Sequence, residues 1–189
     1  MNQFLTVKTH KVRFYVEPAV CIGVAAFLLL FPLQWVLACL LAATVHEAFH
    51  CLALRVCRRE IYEIRVGING AVIQASLGTG CQIVFCLIAG PFGGLLLLAF
   101  YSIYPQLAIC AFLQTIFNLL PINSLDGGQV LRVLTAMVLP DTVADSVCRV
   151  VKVLILLLIT ICCIMASFLL HTYFFLMIPA VLFLKSVRK

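Results

Sequence analysis

The sequence predicts an all-α polytopic membrane protein of about six transmembrane helices, with a short β-hairpin or re-entrant strand region between spans 2 and 3. Composition is the first reason. Of 189 residues, 65% are hydrophobic and 11% charged, whereas a soluble domain carries about 25% charged residues. Mean hydropathy is +1.19. The second reason is that two apolar runs are each too long for one crossing. The third is that the charges collect in a few short stretches between apolar runs. No polar stretch approaches the size of a separate soluble domain, so residues 1–189 read as one membrane domain.

The spans follow in order. Lys8, Lys11 and Arg13 precede an apolar run with no convincing cleavage site, which makes it a first span rather than a removed signal peptide. From Ala19 to Leu54 there are 36 residues without Lys or Arg. One helix of that length would reach about 54 Å against a hydrocarbon core of about 30 Å. It therefore folds back, with Pro32, Gln34 and Trp35 as the turn, giving span 1 near 17–32 and span 2 near 34–54. Residues 55–80 hold Arg55, Arg58, Arg59 and Arg65, then EIRVGINGAVIQASL. Its β-branched residues and glycines suit a hairpin or re-entrant strand. Span 3 runs from about Gln82 to Tyr101 and contains AGPFGG; Gly90 and Gly94 fit either a dimer face or close packing within one bundle. Span 4 runs from near Gln106 to Leu120, where Pro121 disrupts it. An apolar-periodic piece covers Val130 to Leu139, residues 140–150 are polar, and the 34 residues from Val151 to Leu184 make spans 5 and 6 with a break around Ser167 to Thr172.

All 13 Lys and Arg residues fall at the N-terminus, in 55–65, in 132–152 and in the C-terminal KSVRK. Six crossings place those four stretches on one side, which the positive-inside rule makes the cytoplasm. Both termini are then cytoplasmic, and the net charge of +6 implies no nucleic-acid partner. The ten cysteines form no C-x-x-C pair and read as small apolar packing residues.

One stretch does not fit a purely structural membrane helix. TVHEAFHCLAL places His46, Glu47 and His50 in span 2. H-E-x-x-H on a helix puts both imidazoles on one face. Two imidazoles, one carboxylate and water make a usual catalytic zinc set, with Glu47 as general base. Structural histidines are the alternative, but ionisable groups inside a span are costly and point to function. A third ligand must come from elsewhere. Of Glu17, Glu60, Glu63, Asp126, Asp141 and Asp145, only Asp126 lies in a broken membrane segment beside glycines, NSLDGG. Irregular backbone at membrane depth is tolerated where it is buried in protein or lines a wet cavity. The alternative is an Asp in an interfacial turn.

HEAFH in span 2 together with NLLPINSLDGG after span 4 resembles the site-2 protease family of intramembrane zinc metalloproteases, and within it the sporulation branch, whose enzyme releases a sigma factor from a membrane-tethered pro-form. The resemblance extends over nearly the whole chain. It implies zinc held by His46, His50 and Asp126, Glu47 as base, and Asn118 positioning substrate or polarising its carbonyl. It further implies that the strand around Gly67, Asn69 and Gly70, up to Gln74, holds an unwound substrate as an added strand. Four departures stand out. Phe49 occupies a place that is usually Gly, Asn123 and Ser124 stand where prolines are usual, and Gly94 replaces an Asn. Relatives in that branch often carry a CBS domain, and neither a CBS nor a PDZ domain is expected here.

The expected function is hydrolysis of a peptide bond in a membrane-tethered protein near the cytoplasmic face of a bacterial cell membrane. Inhibitory or regulatory membrane partners are expected alongside the lipid bilayer. The rival expectations are an inactive metal-binding scaffold and, less favoured, an ion transporter.

Overall fold

The computed structural model describes residues 12–67, 70–76, 78–169, 171 and 179–183. Lys8, Lys11, Asn69, most of the predicted span 6 and the C-terminal basic run lie outside the described residues.

Strand β1 (Arg13–Val16) leads into helix α1 (Pro18–Leu30), whose N-terminal proline supplies a helical φ where no amide bond is needed. Phe31 is extended ahead of Pro32, which starts α2 (Leu33–Val56). The predicted turn at Pro32 is thus where the chain reverses. Strands β2 (Ile61–Gly67) and β3 (Gly70–Ala75) follow as the predicted hairpin. Helix α3 (Gly80–Leu96) begins where the Thr79 amide donates to Gln82 Oε1 at 3.2 Å and tightens into a 3-10 turn over Leu97–Phe100. Helices α4 (Pro105–Asn118), α5 (Asp126–Ala136) and α6 (Asp141–Leu169) complete the set, and 179–183 are helical.

Two expectations change. Among the described residues, three helices are long and apolar enough to cross a membrane: Leu33–Val56, Gly80–Phe100 and Asp141–Leu169. The six-span count is thus supported by length for three; α1 and α4, of 13 and 14 residues, are only about 20 Å long. Helix α6 also starts ten residues before the apolar run. Its first turns bury Ala144 and Cys148, while the polar residues of 141–150 occupy the outer face. Arg132 pairs with Asp145 at 3.2 Å, tying α5 to α6.

The hairpin belongs to a three-stranded sheet in the order β1-β2-β3, β1 parallel to β2 and β2 antiparallel to β3. The register sorts the side chains by face. Phe14, Val16, Ile64, Val66, Ala71 and Ile73 share one, and Arg13, Tyr15, Glu63, Arg65, Val72 and Gln74 the other. On the polar face Glu63 meets Arg65 at 3.1 Å and Arg13 at 3.4 Å.

Small residues let α2, α3 and α4 pack closely. Ala38 and Ala42 of α2 meet Leu107, Cys110 and Ala111 of α4 in one buried cluster with Leu97. Helices α2 and α4 run parallel. Tyr104 Oη donates to the Gln34 carbonyl at 2.7 Å, Cys39 and Cys110 approach at 3.0 Å between sulfurs, and Asn118 Nδ2 reaches His46 Nε2 at 3.2 Å. Their separations of 70, 71 and 72 residues define a register that drifts by one residue from each contact to the next. All ten cysteines are free. A membrane-permeant disulfide is therefore expected to oxidise Cys39 and Cys110 to one cystine by thiol–disulfide exchange. Peptide mapping will show that cross-link in the wild type and not in Cys39→Ser; its absence in the wild type would contradict the register.

Candidate metal centre

Helix α2 presents His46 and His50 one turn apart, both buried, with ring centroids 4.8 Å apart. The third group arrives from the segment after α4. Pro121 follows the end of that helix, and a turn closes from Ile122 to Leu125 through a 2.8 Å backbone bond. Ile122 and Leu125 are buried with Leu182 and anchor this turn. Asn123 and Ser124 are its exposed central residues, so the turn is held by its two flanking anchors instead of by prolines. Gly127 and Gly128 then let α5 start against the chain. A Cβ on Gly127 would overlap the Leu119 carbonyl, and one on Gly128 the Ile122 carbonyl. Asp126 thereby stands in the first turn of α5, where the helix dipole favours a carboxylate.

The three side chains converge. His46 Nε2 is 3.0 Å from Asp126 Oδ2 and 3.1 Å from His50 Nε2, and His50 Nε2 is 3.3 Å from Asp126 Oδ2. A tetrahedral ion with bonds of about 2.0–2.1 Å sets its ligand atoms about 3.3 Å apart. The described triangle is close to that edge length, and His46, His50 and Asp126 could hold a metal ion. The donor chemistry agrees. The Cys86 carbonyl can only accept, so His50 Nδ1 donates to it at 2.7 Å. That bond fixes the tautomer and leaves the Nε2 lone pair directed at the centre.

Two further contacts complete the surroundings. Asn118, at the end of α4, brings Nδ2 to His46 Nε2. Glu47 is half-buried beside the two histidines, and the backbone amide of Ala71 in β3 hydrogen-bonds its carboxylate. Of the predicted hairpin positions, Gly67 packs against the Glu17 carboxylate, 2.9 Å from where a Cβ would be, and Gly70 takes a φ of +116° at the turn. The hairpin residue brought to Glu47 is Ala71.

In the sequence, Gly90 in AGPFGG reads as part of a dimer face or as a packing glycine. A Cβ there would overlap His50 Nε2 and come within 2.8 Å of His46 Nε2, so its missing side chain makes room for the converging nitrogens. Gly93 receives the Phe49 ring, which also lies 6.4 Å from the Phe92 ring. The bulky residue in H-E-A-F-H is thus taken up by α3. Gly90 and Gly94 face inward, against the histidines and against Thr115, and pack within the chain.

The described residues thus bring a His-His-Asp group together between apolar helices. A family model for Peptidase family M50 matches residues 97–161. The fold is similar to that of the Site-2 Protease from Methanocaldococcus jannaschii, with a TM-score of 0.64 and 13% identity over 93% of this chain and 89% of that one. Comparison with curated proteins gives no match. The matched residues include Asn118 and Asp126, and the likeness in fold extends over nearly the whole chain.

Proposed function

We propose that the protein is a zinc-dependent intramembrane endopeptidase that cuts a membrane-tethered protein near the cytoplasmic face. The convergence of His46, His50 and Asp126 from two distant segments carries this reading. These three residues would hold the zinc, which when bound supplies Lewis-acid polarisation of water and of the scissile carbonyl. Glu47 accepts the proton of the attacking water. Asn118 Nδ2 is placed to donate to the developing oxyanion. A substrate helix hides its carbonyls in hydrogen bonds and must open first. β2 covers one edge of β3, and the Ala71 amide points off the other towards Glu47. An extended substrate segment added along that free edge would lie beside the base.

The four cationic stretches favour a cytoplasmic sheet side and cytoplasmic termini, and so a cytosolic product. The sequence resemblance suggests a transcription factor of the pro-sigma type as that product, and membrane partners that regulate the site.

The experiment is the metal content of purified protein beside His46→Ala and Asp126→Ala. About one zinc per chain in the wild type, lost in both variants, is the expected result. Zinc lost in His46→Ala and kept in Asp126→Ala would remove Asp126 from the centre. A wild type that takes up none would remove the proposal.

A further inference from the structure

The metal centre leaves one ligand without visible support. His46 is 2% exposed, and its Nδ1 has no hydrogen-bond partner among the described residues. With Nε2 turned to Asp126 and His50, Nδ1 carries the proton of the neutral ring, and a buried N–H left unpaired costs about 1–3 kcal/mol. The described residues leave a second buried polar atom unpaired on a neighbouring helix. Thr115 is 2% exposed, and its Oγ1 likewise has no partner.

Thr115 differs from three other helical threonines. Thr44, Thr135 and Thr160 each donate to the carbonyl four residues back, at 2.8, 2.8 and 2.7 Å, the usual resting place for a helical hydroxyl. Thr115 does not; its hydroxyl is turned to α3, against the position where Gly94 lacks a Cβ.

The register of the three helices says what lies there. On α4, Thr115 stands one turn before Asn118, which touches His46 Nε2. On α3, Gly94 stands one turn beyond Gly90, which lies against both histidine nitrogens. The α2–α4 separation of 71 to 72 residues sets Thr115 level with residues 43–44. That is the side towards which the His46 ring points, since helical side chains tilt to the N-terminus.

We infer that Thr115 is a positioning residue for the metal centre: its hydroxyl accepts the His46 Nδ1–H through one buried water, and so holds the ring with Nε2 directed at the ion. The inference rests on the proposed metal site. Loss of such an outer partner lowers metal affinity by about 10–100-fold.

The test is zinc affinity of metal-stripped protein, read by competition with a chromogenic chelator, for wild type, Thr115→Val and Thr115→Ser. Valine keeps the shape and removes the hydroxyl; serine keeps the hydroxyl. The expected result is affinity about 10–100-fold weaker in Thr115→Val and restored in Thr115→Ser, with the Cys39–Cys110 cross-link intact in both as evidence of folding. Wild-type affinity in Thr115→Val, or equal weakening in the two variants, overturns the inference alone. No zinc uptake by the wild type overturns the metal-site reading and this inference with it.

Discussion

Glu47→Gln is expected to keep its metal and to lose hydrolysis of a single-span transmembrane peptide by about 10²–10⁴-fold, the usual worth of a positioned general base. The two halves of this outcome have separate origins. Glutamine matches glutamate in size, and the converging atoms belong to His46, His50 and Asp126, so the metal triangle is untouched. Glutamine can still accept the Ala71 amide bond, so the contact with β3 survives. Only the capacity to take a proton is removed. Mass-spectrometric detection of the cleaved peptide, with zinc measured on the same sample, checks both halves. Equal cleavage by Glu47→Gln would remove Glu47 as the base, and loss of zinc would show that it belongs to the metal set.

Gly90→Ala is expected to lose most of its bound metal while keeping its fold. One methyl group overlaps His50 Nε2 and approaches His46 Nε2, so both nitrogens must leave the positions in which they converge. The effect on affinity will exceed the 10–100-fold typical of outer partners, because the ligands themselves are displaced. Gly93→Ala is the control. Its methyl meets the Phe49 ring, so overpacking costs about 1–3 kcal/mol of stability and leaves the nitrogens in place. Zinc content and thermal midpoint on the two variants separate these effects. Full metal occupancy in Gly90→Ala would refute the close approach of α3 to the histidines.

The part of the site that was legible in the sequence is the part written in side-chain chemistry. H-E-x-x-H needs only helical spacing to put His46 and His50 together, and Asp126 stood out as the acid in a broken apolar segment. The rest lies in groups that carry no mark. The Cys86 carbonyl and the Ala71 amide are backbone atoms that any residue would supply. Gly90 acquires its role only from what faces it across a helix interface. In the fold, the turn at Pro32 and the hairpin after Val56 were legible because proline and β-branched residues act locally. Strand β1 was missed because its partner β2 lies about fifty residues away, and four residues of RFYV do not by themselves declare a strand. The start of α6 was missed because polar residues on the outer face of a helix look like a loop when read in a line.

The pairing of β1 with β2 has a consequence for how the chain lies in the bilayer. Hydrogen-bonded strands share one side of the membrane, so the chain between them must come back to the side it left. The number of crossings made by residues 17–60 is even, whatever their charges. Helix α2 is long enough to cross, and where it does, the return falls to α1 with the turn at Pro32. Its 13 residues span about 20 Å of a hydrocarbon layer about 30 Å thick. A short span is accommodated by thinning the lipid around it. Where α1 makes that crossing, it would pinch the bilayer beside the helix that bears His46 and His50 and draw headgroup water towards the hydrolysis proposed above.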